Sequence, residues 1–268
     1  MILADLIKRA YKNNGVVTAY VYGDFGFGKT SYALWTAYEV YGDWDTVLKY
    51  VFFRPEEAIQ VLGRAIRSKR RIPLLIMDDA GLWLDRLTWY EDSKIRFMEL
   101  FNLIRSIAAG VIFTTPSQEL PKQILNKAFF RINVTPASME ESEEAYRAAK
   151  LAESYGLKPY VSKATGYKLK TLPSFFQMLK KTFLDYYPTH YPIFHEYEKK
   201  RRRALIHYYN KLKDSIADRR FDMQQGIELA RKLIHEGKTT ATIVKELMKK
   251  GVPRSTAYRW VSAARNGA

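Results

Sequence analysis

The feature that most constrains this chain is the stretch VYGDFGFGKTSY at residues 21–32, where three glycines and a Lys-Thr pair follow β-favouring residues. From Gly23 to Thr30 it fits the pattern GxxxxGK[ST], and it stands between a predicted strand and a predicted helix. Glycine lets the backbone curl until successive N–H groups converge on phosphate oxygens, and the dipole of the following helix adds positive charge. The stretch therefore predicts an α/β domain with a loop that binds a polyphosphate.

The side chains at the end of this loop have individual predicted roles. Lys29 is expected to reach the β- and γ-phosphates, and the hydroxyl of Thr30 to complete a Mg²⁺ shell otherwise made of water and phosphate. ATP and Mg²⁺ are therefore the expected ligands. The predicted nucleotide-binding residues are Gly23, Asp24, Phe25, Gly26, Phe27, Gly28, Lys29, Thr30 and Ser31.

A second motif lies at residues 74–79, LLIMDD, an apolar run typical of a buried strand that ends in two carboxylates. It resembles the Walker B pattern of ATPases, in which the first acid orients water on Mg²⁺ and the second polarises the attacking water. The resemblance implies that Asp78 is the metal-linked acid and Asp79 the catalytic base. Most ATPases of this kind have Glu at the second position, and the shorter Asp79 side chain predicts slow hydrolysis.

The order of apolar and amphipathic runs predicts the fold of the first 135 residues. Strand-like and helix-like runs alternate, which implies a parallel sheet with helices on both faces. One such unit, LKYVFF with its helix, precedes the acidic strand, and a further strand, GVIFTT, follows it. This order resembles the additional-strand class of P-loop NTPases, which includes the AAA+ and RecA/FtsK-like ATPases. The sequence has no recognisable second sensor arginine or AAA+ lid, so AAA+ membership stays open.

The same resemblance implies two further catalytic residues. In this class the strand after the acids ends in a polar residue that senses the γ-phosphate, and Thr114 or Thr115 occupies that place, with Thr114 preferred. Oligomeric members insert an arginine into the neighbouring subunit's site, where it stabilises transition-state charge. Arg131 is the first candidate and Arg105 the second, and either role would imply a homo-oligomer.

The C-terminal residues 237–261 contain two helix-like runs joined by a turn at Gly251. They resemble the helix-turn-helix of resolvases and invertases, and the preceding run QQGIELARKLIHE is expected to supply the third helix of a small core. The resemblance implies that the second helix of the pair enters a DNA major groove. A three-helix domain that binds protein is the alternative. The predicted DNA-binding residues are Arg254, Ser255, Thr256, Tyr258 and Arg259.

Three domains are therefore expected. Residues 1–174 form the P-loop ATPase domain, 175–220 a basic, aromatic and helical connector, and 221–268 the helix-turn-helix domain. Within the first, YKLKTLPSFF is expected to pair with FRINV as a hairpin. In the connector, the run KKRRR at 199–203 belongs either to a solvated helix whose aromatic stripe packs on the α/β domain or to a helix along a phosphate backbone.

The composition favours an anionic macromolecule as partner. The formal net charge is +16, and the part from His195 onward carries 18 Lys/Arg against 8 Asp/Glu, a balance of +10. Such an excess favours nucleic acid or anionic lipid. Cysteine is absent, which excludes disulfides and thiolate metal sites. No run approaches the roughly 18 apolar residues of a membrane span, so a cytoplasmic location without a membrane partner is expected.

A nucleotide site and a DNA reader on one chain indicate an ATPase that acts on double-stranded DNA or assembles on it. The expected setting is DNA replication initiation, transposition or a related mobile-element transaction, and the combination resembles small ATPases of archaeal viruses and plasmids. A DNA packaging or translocation motor is one alternative. A nucleotide-gated transcription regulator, in which ATP is a ligand rather than fuel, is the other.

Overall fold

A computed structural model describes residues 1–83, 92–115, 128–171, 177–250 and 252–266 of the chain. The chain divides into two compact units, Met1–Arg201 and Arg202–Ala268. Within the described ranges, no helix combines the length and the apolar character that crossing a membrane requires.

The first unit is organised around one sheet. Its strands are β1 Val17–Tyr22, β2 Val51–Phe52, β3 Leu75–Met77, β4 Gly110–Thr114, β5 Phe130–Ala137, β6 Val161–Thr171 and β7 Gln177–Pro188. They lie in the order β2-β3-β4-β1-β5-β6-β7. The pairs from β2 to β5 are parallel, whereas β6 is antiparallel to both of its neighbours. This mixed α/β architecture, with a largely parallel sheet, is consistent with the predicted P-loop NTPase fold.

The position of β4 determines which loops meet. It lies between β1 and β3, with Val21 opposite Thr114 and Met77 opposite Phe113. The three strands are parallel and in register, so their carboxyl ends reach the same edge of the sheet. The phosphate loop after β1, the two acids after β3 and Thr114 at the end of β4 are therefore neighbours.

Helices connect and cover these strands. Among the described residues, the helices that lie wholly in the first unit are α1 Ile2–Lys12, α2 Lys29–Tyr41, α3 Trp44–Lys49, α4 Pro55–Ser68, α5 Ala80–Trp83, α6 Asp92–Asn102, α7 Ile104–Ile107 and α8 Glu143–Ser154. In α1, Leu3 and Ile7 are fully buried. They are one helical turn apart, which is the spacing of an amphipathic helix on a sheet.

The predicted strand LKYVFF is only partly correct. Val51–Phe52 is a strand, but Leu48 and Lys49 belong to helix α3 and Tyr50 is the C-cap of that helix. The reason is local, since the Asp43 carboxylate accepts hydrogen bonds from the backbone N–H groups of Asp45 at 3.4 Å and Thr46 at 2.8 Å. This N-cap starts a helix immediately before β2.

The predicted pairing of YKLKTLPSFF with FRINV is correct only at Tyr167, because residues 132–134 of FRINV lie opposite residues 164–166 and residues 168–171 pair with β7. β5 pairs antiparallel with β6, with Arg131 opposite Tyr167, while residues 172–176 lie outside the described ranges. The two strands are joined through α8 rather than by a tight turn. β6 also pairs along its whole length with the next strand, β7.

The prediction of a helical connector from residue 175 is wrong in its first part, because β7 occupies Gln177–Pro188. Phe183, Asp185 and Tyr187 are buried, and the residues between them are more exposed. That period of two is the alternation of a strand. The helical part begins only with α9 Phe194–His235, and the first compact unit continues to Arg201, past the predicted boundary at 174.

The second unit contains α9 from Arg202 onward, α10 Thr240–Lys249 and α11 Arg254–Asn266. The two predicted C-terminal helices are thus present, and the predicted turn residue Gly251 lies outside the described ranges. At Gly226 a Cβ atom would come within 2.1 Å of the Trp260 ring, so glycine allows α9 and α11 to approach closely. The buried core is made of Ala230, Ile243, Val244, Leu247, Ala257, Val261 and Ala264.

Candidate functional site

The loop between β1 and α2 has a backbone that requires its glycines. Gly23, Gly26 and Gly28 have φ values of 148°, 81° and 87°, in the region that side chains disfavour. At Gly23 a Cβ atom would also lie 2.5 Å from the carbonyl oxygen of Val134 in β5. Helix α2 begins at Lys29, directly after Gly28. The structure therefore has the strand, curled loop and helix N-terminus that the motif predicts.

Lys29 lies within this loop. Its ammonium donates to the carbonyl oxygens of Gly23 at 2.9 Å and Asp24 at 2.8 Å, and it lies 5.6 Å from the centre of the exposed Phe25 ring. Burial lowers the pKa of Lys29, and among the neighbouring carboxylates Asp79 opposes that shift most. The cation is thus folded back onto the loop, close to the second acid.

The first acid, Asp78, is fully buried and joins the loop to the sheet. Its carboxylate accepts from the Thr30 hydroxyl at 3.1 and 3.3 Å and also from the hydroxyl of Thr114. Burial and the charge of Asp79 raise the pKa of Asp78, and the hydroxyl donors oppose this rise. The loop threonine and the predicted metal-linked acid are therefore in direct contact.

This pair fits a magnesium ion. The Thr30 hydroxyl and the Asp78 carboxylate are hard oxygen donors, 3.1 Å apart, at the mouth of a loop that suits phosphate. In the part of the chain that the structure describes, no group of three or more His, Cys, Asp or Glu residues could hold a metal. An ion held here would take its remaining ligands from water and phosphate, as the sequence predicts.

Thr114 lies between the two acids. Its hydroxyl donates to Asp78 and accepts from the backbone N–H of Asp79 at 3.1 Å. Thr115 is buried, and its N–H donates to the Val21 carbonyl at 3.1 Å in continuation of the sheet. Thr114, the preferred of the two predicted sensor residues, is thus in contact with the site.

Asp79 has an uncommon backbone conformation. Its φ of 50° lies in the left-handed region, which a residue other than glycine seldom adopts. Two contacts hold it there, the N–H bond to Thr114 and a bond from Nε of Arg201 to the Asp79 carboxylate at 3.0 Å. Strained residues held by their surroundings are typical of functional sites.

Three side chains of α9 that were not predicted from the sequence also reach this edge of the sheet. Tyr197 is almost fully buried and donates its hydroxyl to Asp78, while Arg201 bonds Asp79. Lys200 donates to the carbonyl oxygens of Leu48 at 2.7 Å and Val51 at 2.6 Å. Positions 197, 200 and 201 share one helix face at the i, i+3, i+4 spacing, but that spacing alone does not indicate which part of the fold the face contacts.

The two predicted arginine fingers lie elsewhere in the first unit. Arg131 lies in β5, opposite Tyr20 of β1. Both residues therefore precede the carboxyl ends of their strands. Arg105 donates through Nε to the carbonyl of Asn14 at 3.1 Å, on the amino-terminal side of β1. Neither position is at the carboxyl edge, and action of Arg131 on a neighbouring subunit stays a prediction.

The predicted DNA-binding residues share the start of α11. Arg254, Ser255, Tyr258 and Arg259 are exposed, whereas Thr256 is partly buried and accepts from Arg259 at 3.3 Å. The Arg254 guanidinium lies 5.9 Å from the centre of the Tyr258 ring. The opposite side of this helix supplies buried residues to the core. The helix therefore presents the basic side chains of Arg254 and Arg259 on its outer face.

No protein-family model matches the chain. It is 35% identical over 159 residues to the uncharacterised protein B-251 of Sulfolobus spindle-shape virus 1, covering 56% of this chain and 63% of that protein. It is 32% identical over 119 residues to the uncharacterised protein ORF286 of Acidianus two-tailed virus, covering 43% and 42%. The chain thus matches less than two thirds of the length of either relative.

Two solved structures show weak structural similarity to the chain. One is the genome packaging NTPase B204 of Sulfolobus turreted icosahedral virus 2 in complex with AMPPCP, at 12% identity and a TM-score of 0.32, covering 63% of this chain and 98% of that one. The other is a KaiC-like protein of Pyrococcus horikoshii OT3, at 10% identity and a TM-score of 0.28, covering 62% and 91%. At these scores, the geometry of the site rather than the likeness carries the functional proposal.

Proposed function

We propose that this protein binds ATP with Mg²⁺, hydrolyses it slowly and acts on double-stranded DNA. The observation that most supports the nucleotide site is the contact between Thr30 and Asp78 at 3.1 Å. It joins a glycine loop suited to phosphate with a buried carboxylate that the fold holds at the same edge. If the glycine-rich turn had no role in binding phosphate, there would be no reason for a buried carboxylate from a nearby strand to contact it.

In the proposed complex the loop amides bind the β-phosphate, and Lys29 leaves the carbonyls of Gly23 and Asp24 to bind β- and γ-phosphate oxygens. Thr30 and Asp78 would hold magnesium, which supplies positive charge that neutralises the phosphates. Thr114, which already touches both acids, is placed to donate to the γ-phosphate. Lys29 and Thr114 thereby fix the triphosphate in one orientation.

The proposed reaction is hydrolysis of the terminal phosphate. The water oxygen forms a bond to the γ-phosphorus, and the bond from that phosphorus to the β,γ-bridging oxygen breaks, so that ADP leaves. Asp79 orients the water and accepts its proton, which later passes to solvent. Because Asp is one methylene shorter than Glu, its carboxylate reaches less far, and slow turnover follows.

Asp79→Asn tests this assignment. We expect turnover of Mg-ATP to fall at least about 100-fold, because the amide accepts no proton, while ATP affinity changes by less than about threefold. Steady-state phosphate release and equilibrium binding measure the two effects, with and without duplex DNA. Asp45→Asn, at an exposed position in α3, is the matched control. Equal turnover in Asp79→Asn and the native protein would refute the role of Asp79.

The proposed DNA surface is the outer face of α11. It is supported by the exposed Arg254 and Arg259 and by the basic balance of the sequence from His195 onward. A domain with one such helix makes few base contacts, so tight binding needs several copies or a second surface. We therefore propose a homo-oligomer, which light scattering with and without ATP and DNA would detect.

The proposed setting is a mobile-element DNA transaction such as replication initiation or transposition. Similarity to proteins of two viruses supports a mobile-element context but does not distinguish among these processes. A packaging or translocation motor would couple ATP hydrolysis to displacement of a DNA strand or of a protein bound to the DNA. A nucleotide-gated regulator would bind ATP tightly without turnover, and its DNA affinity would change with ATP.

A further inference from the structure

The start of helix α9 is fixed over the acidic strand by side chains that do not themselves bind phosphate. Lys200 is anchored on the carbonyls of Leu48 and Val51, and the Tyr197 ring packs on Phe53 with ring centres 5.5 Å apart. The Tyr197 hydroxyl also bonds Asp78. Because these contacts fix the backbone of this helical turn, the Arg201 side chain can change its direction without movement of the helix.

Asp79 interacts with two cations. Arg201 bonds its carboxylate at 3.0 Å, and the charge of Asp79 raises the pKa of Lys29 more than the charge of any other carboxylate does. Lys29 is bonded to loop carbonyls, and Arg201 is bonded to the Asp79 carboxylate. Both cations are therefore held on protein oxygens around the place where the proposed function puts the γ-phosphate.

The hydrogen bond between Arg201 and Asp79 involves one nitrogen of the guanidinium group. Nε alone bonds the carboxylate, and Nη1 makes a long contact of 3.4 Å with Glu198. A guanidinium binds best through two parallel N–H groups, a geometry that phosphate oxygens match. The Arg201 side chain is 38% exposed and the Asp79 side chain 31%. An ion pair this exposed contributes little to stability, so exchange for a phosphate is not costly.

We propose that Arg201 is a catalytic residue supplied by the same chain, whose guanidinium leaves Asp79 and binds the γ-phosphate oxygens when ATP is present. This inference rests on the proposed function. The exchange has two consequences. It places a second cation beside the phosphate that Lys29 binds, and it leaves both Asp79 oxygens free to accept a hydrogen bond from the attacking water. The arginine expected from a neighbouring subunit would then not be required for basal turnover.

The test compares Arg201→Ala and Arg201→Lys with Arg203→Ala, which removes the same charge from an exposed position on the same helix. Full-length protein without DNA is used throughout. We expect Arg201→Ala to lower turnover about 100-fold or more, since removal of a transition-state cation costs that much. Arg201→Lys should keep part of the activity, and Arg203→Ala all of it. Thermal unfolding of each variant shows whether its fold is retained.

A second readout does not depend on hydrolysis. The affinities of a non-hydrolysable ATP analogue and of ADP are measured for each variant. Loss of a charged contact to the γ-phosphate should weaken analogue binding about tenfold in Arg201→Ala and leave ADP binding unchanged. Low-millimolar guanidinium ion should partly restore turnover in Arg201→Ala but not in Lys29→Ala, where an ammonium group is missing.

These readouts separate the inference from the proposed function. If the native protein binds ATP without turnover, the hydrolysis proposal fails, and the ratio of analogue to ADP affinity still decides the role of Arg201. An unchanged ratio in Arg201→Ala would overturn the inference. Equal weakening of analogue and ADP binding would also overturn it, because it would indicate a purely structural role for the ion pair.

Discussion

Lys29→Ala is expected to lower the affinity for Mg-ATP at least about 100-fold, because charge-assisted hydrogen bonds to two phosphates are worth roughly 1.5–3 kcal/mol each. The Lys29 ammonium already lies in the loop, 2.9 Å from the Gly23 carbonyl. It needs only to turn toward the ligand. No other side chain of the loop can replace this cation, because Lys29 is the single basic residue in the stretch VYGDFGFGKTSY.

Equilibrium titration with a fluorescent ATP analogue measures this effect. Lys158→Ala, at an exposed position outside the loop, is the control and should bind as the native protein does. The C-terminal unit has a core of its own, so its helices should stay folded in Lys29→Ala and DNA affinity without nucleotide should be retained. Retained ATP binding by Lys29→Ala would refute the proposed nucleotide site.

Removal of residues 221–268 is expected to weaken affinity for duplex DNA at least about 100-fold at fixed salt. The deleted segment contains α10 and α11, including exposed Arg254 and Arg259. Loss of these cations removes phosphate contacts, and loss of the helix removes base contacts. The compact first unit ends at Arg201, before the deletion, so ATP binding should persist.

The matched point variant is Arg254→Ala with Arg259→Ala, which leaves the buried core of the second unit intact. Its control removes Arg64 and Arg67, two exposed arginines of α4 in the first unit. Fluorescence anisotropy at several salt concentrations should show weaker binding and a smaller salt slope only for the α11 pair. Unchanged affinity after the deletion would instead locate DNA contact in residues 175–220.

The parts of the site that the sequence predicted are local in the chain. The glycine loop, Lys29 and Thr30 follow from eight consecutive residues, and positive φ at Gly23, Gly26 and Gly28 is a property of that segment alone. The acids after β3 and Thr114 at the end of β4 were each assigned to a strand end from the sequence, and the structure brings them together. Parallel strands bring their carboxyl ends together, so the position of each motif at a strand end was sufficient.

The parts that the sequence did not predict depend on contacts between distant residues. Tyr197 and Asp78 are 119 positions apart, and Arg201 and Asp79 are 122 apart. A basic run such as KKRRR is usually solvated, and nothing in its composition indicates that one arginine faces a carboxylate. The strand β7 was missed for another reason, because its Tyr- and Phe-rich sequence was assigned by composition rather than by its period of two.

The central claim is that a triphosphate binds on the loop after β1 with its magnesium beside Thr30 and Asp78. A crystal structure of the protein with Mg²⁺ and a non-hydrolysable ATP analogue tests it most directly. The expected result is electron density for the phosphates on the amides of residues 26–30, with the ion next to Thr30 and the Asp78 carboxylate facing it. Analogue bound elsewhere, or an empty loop at saturating analogue with both acids directed away from it, would contradict the claim.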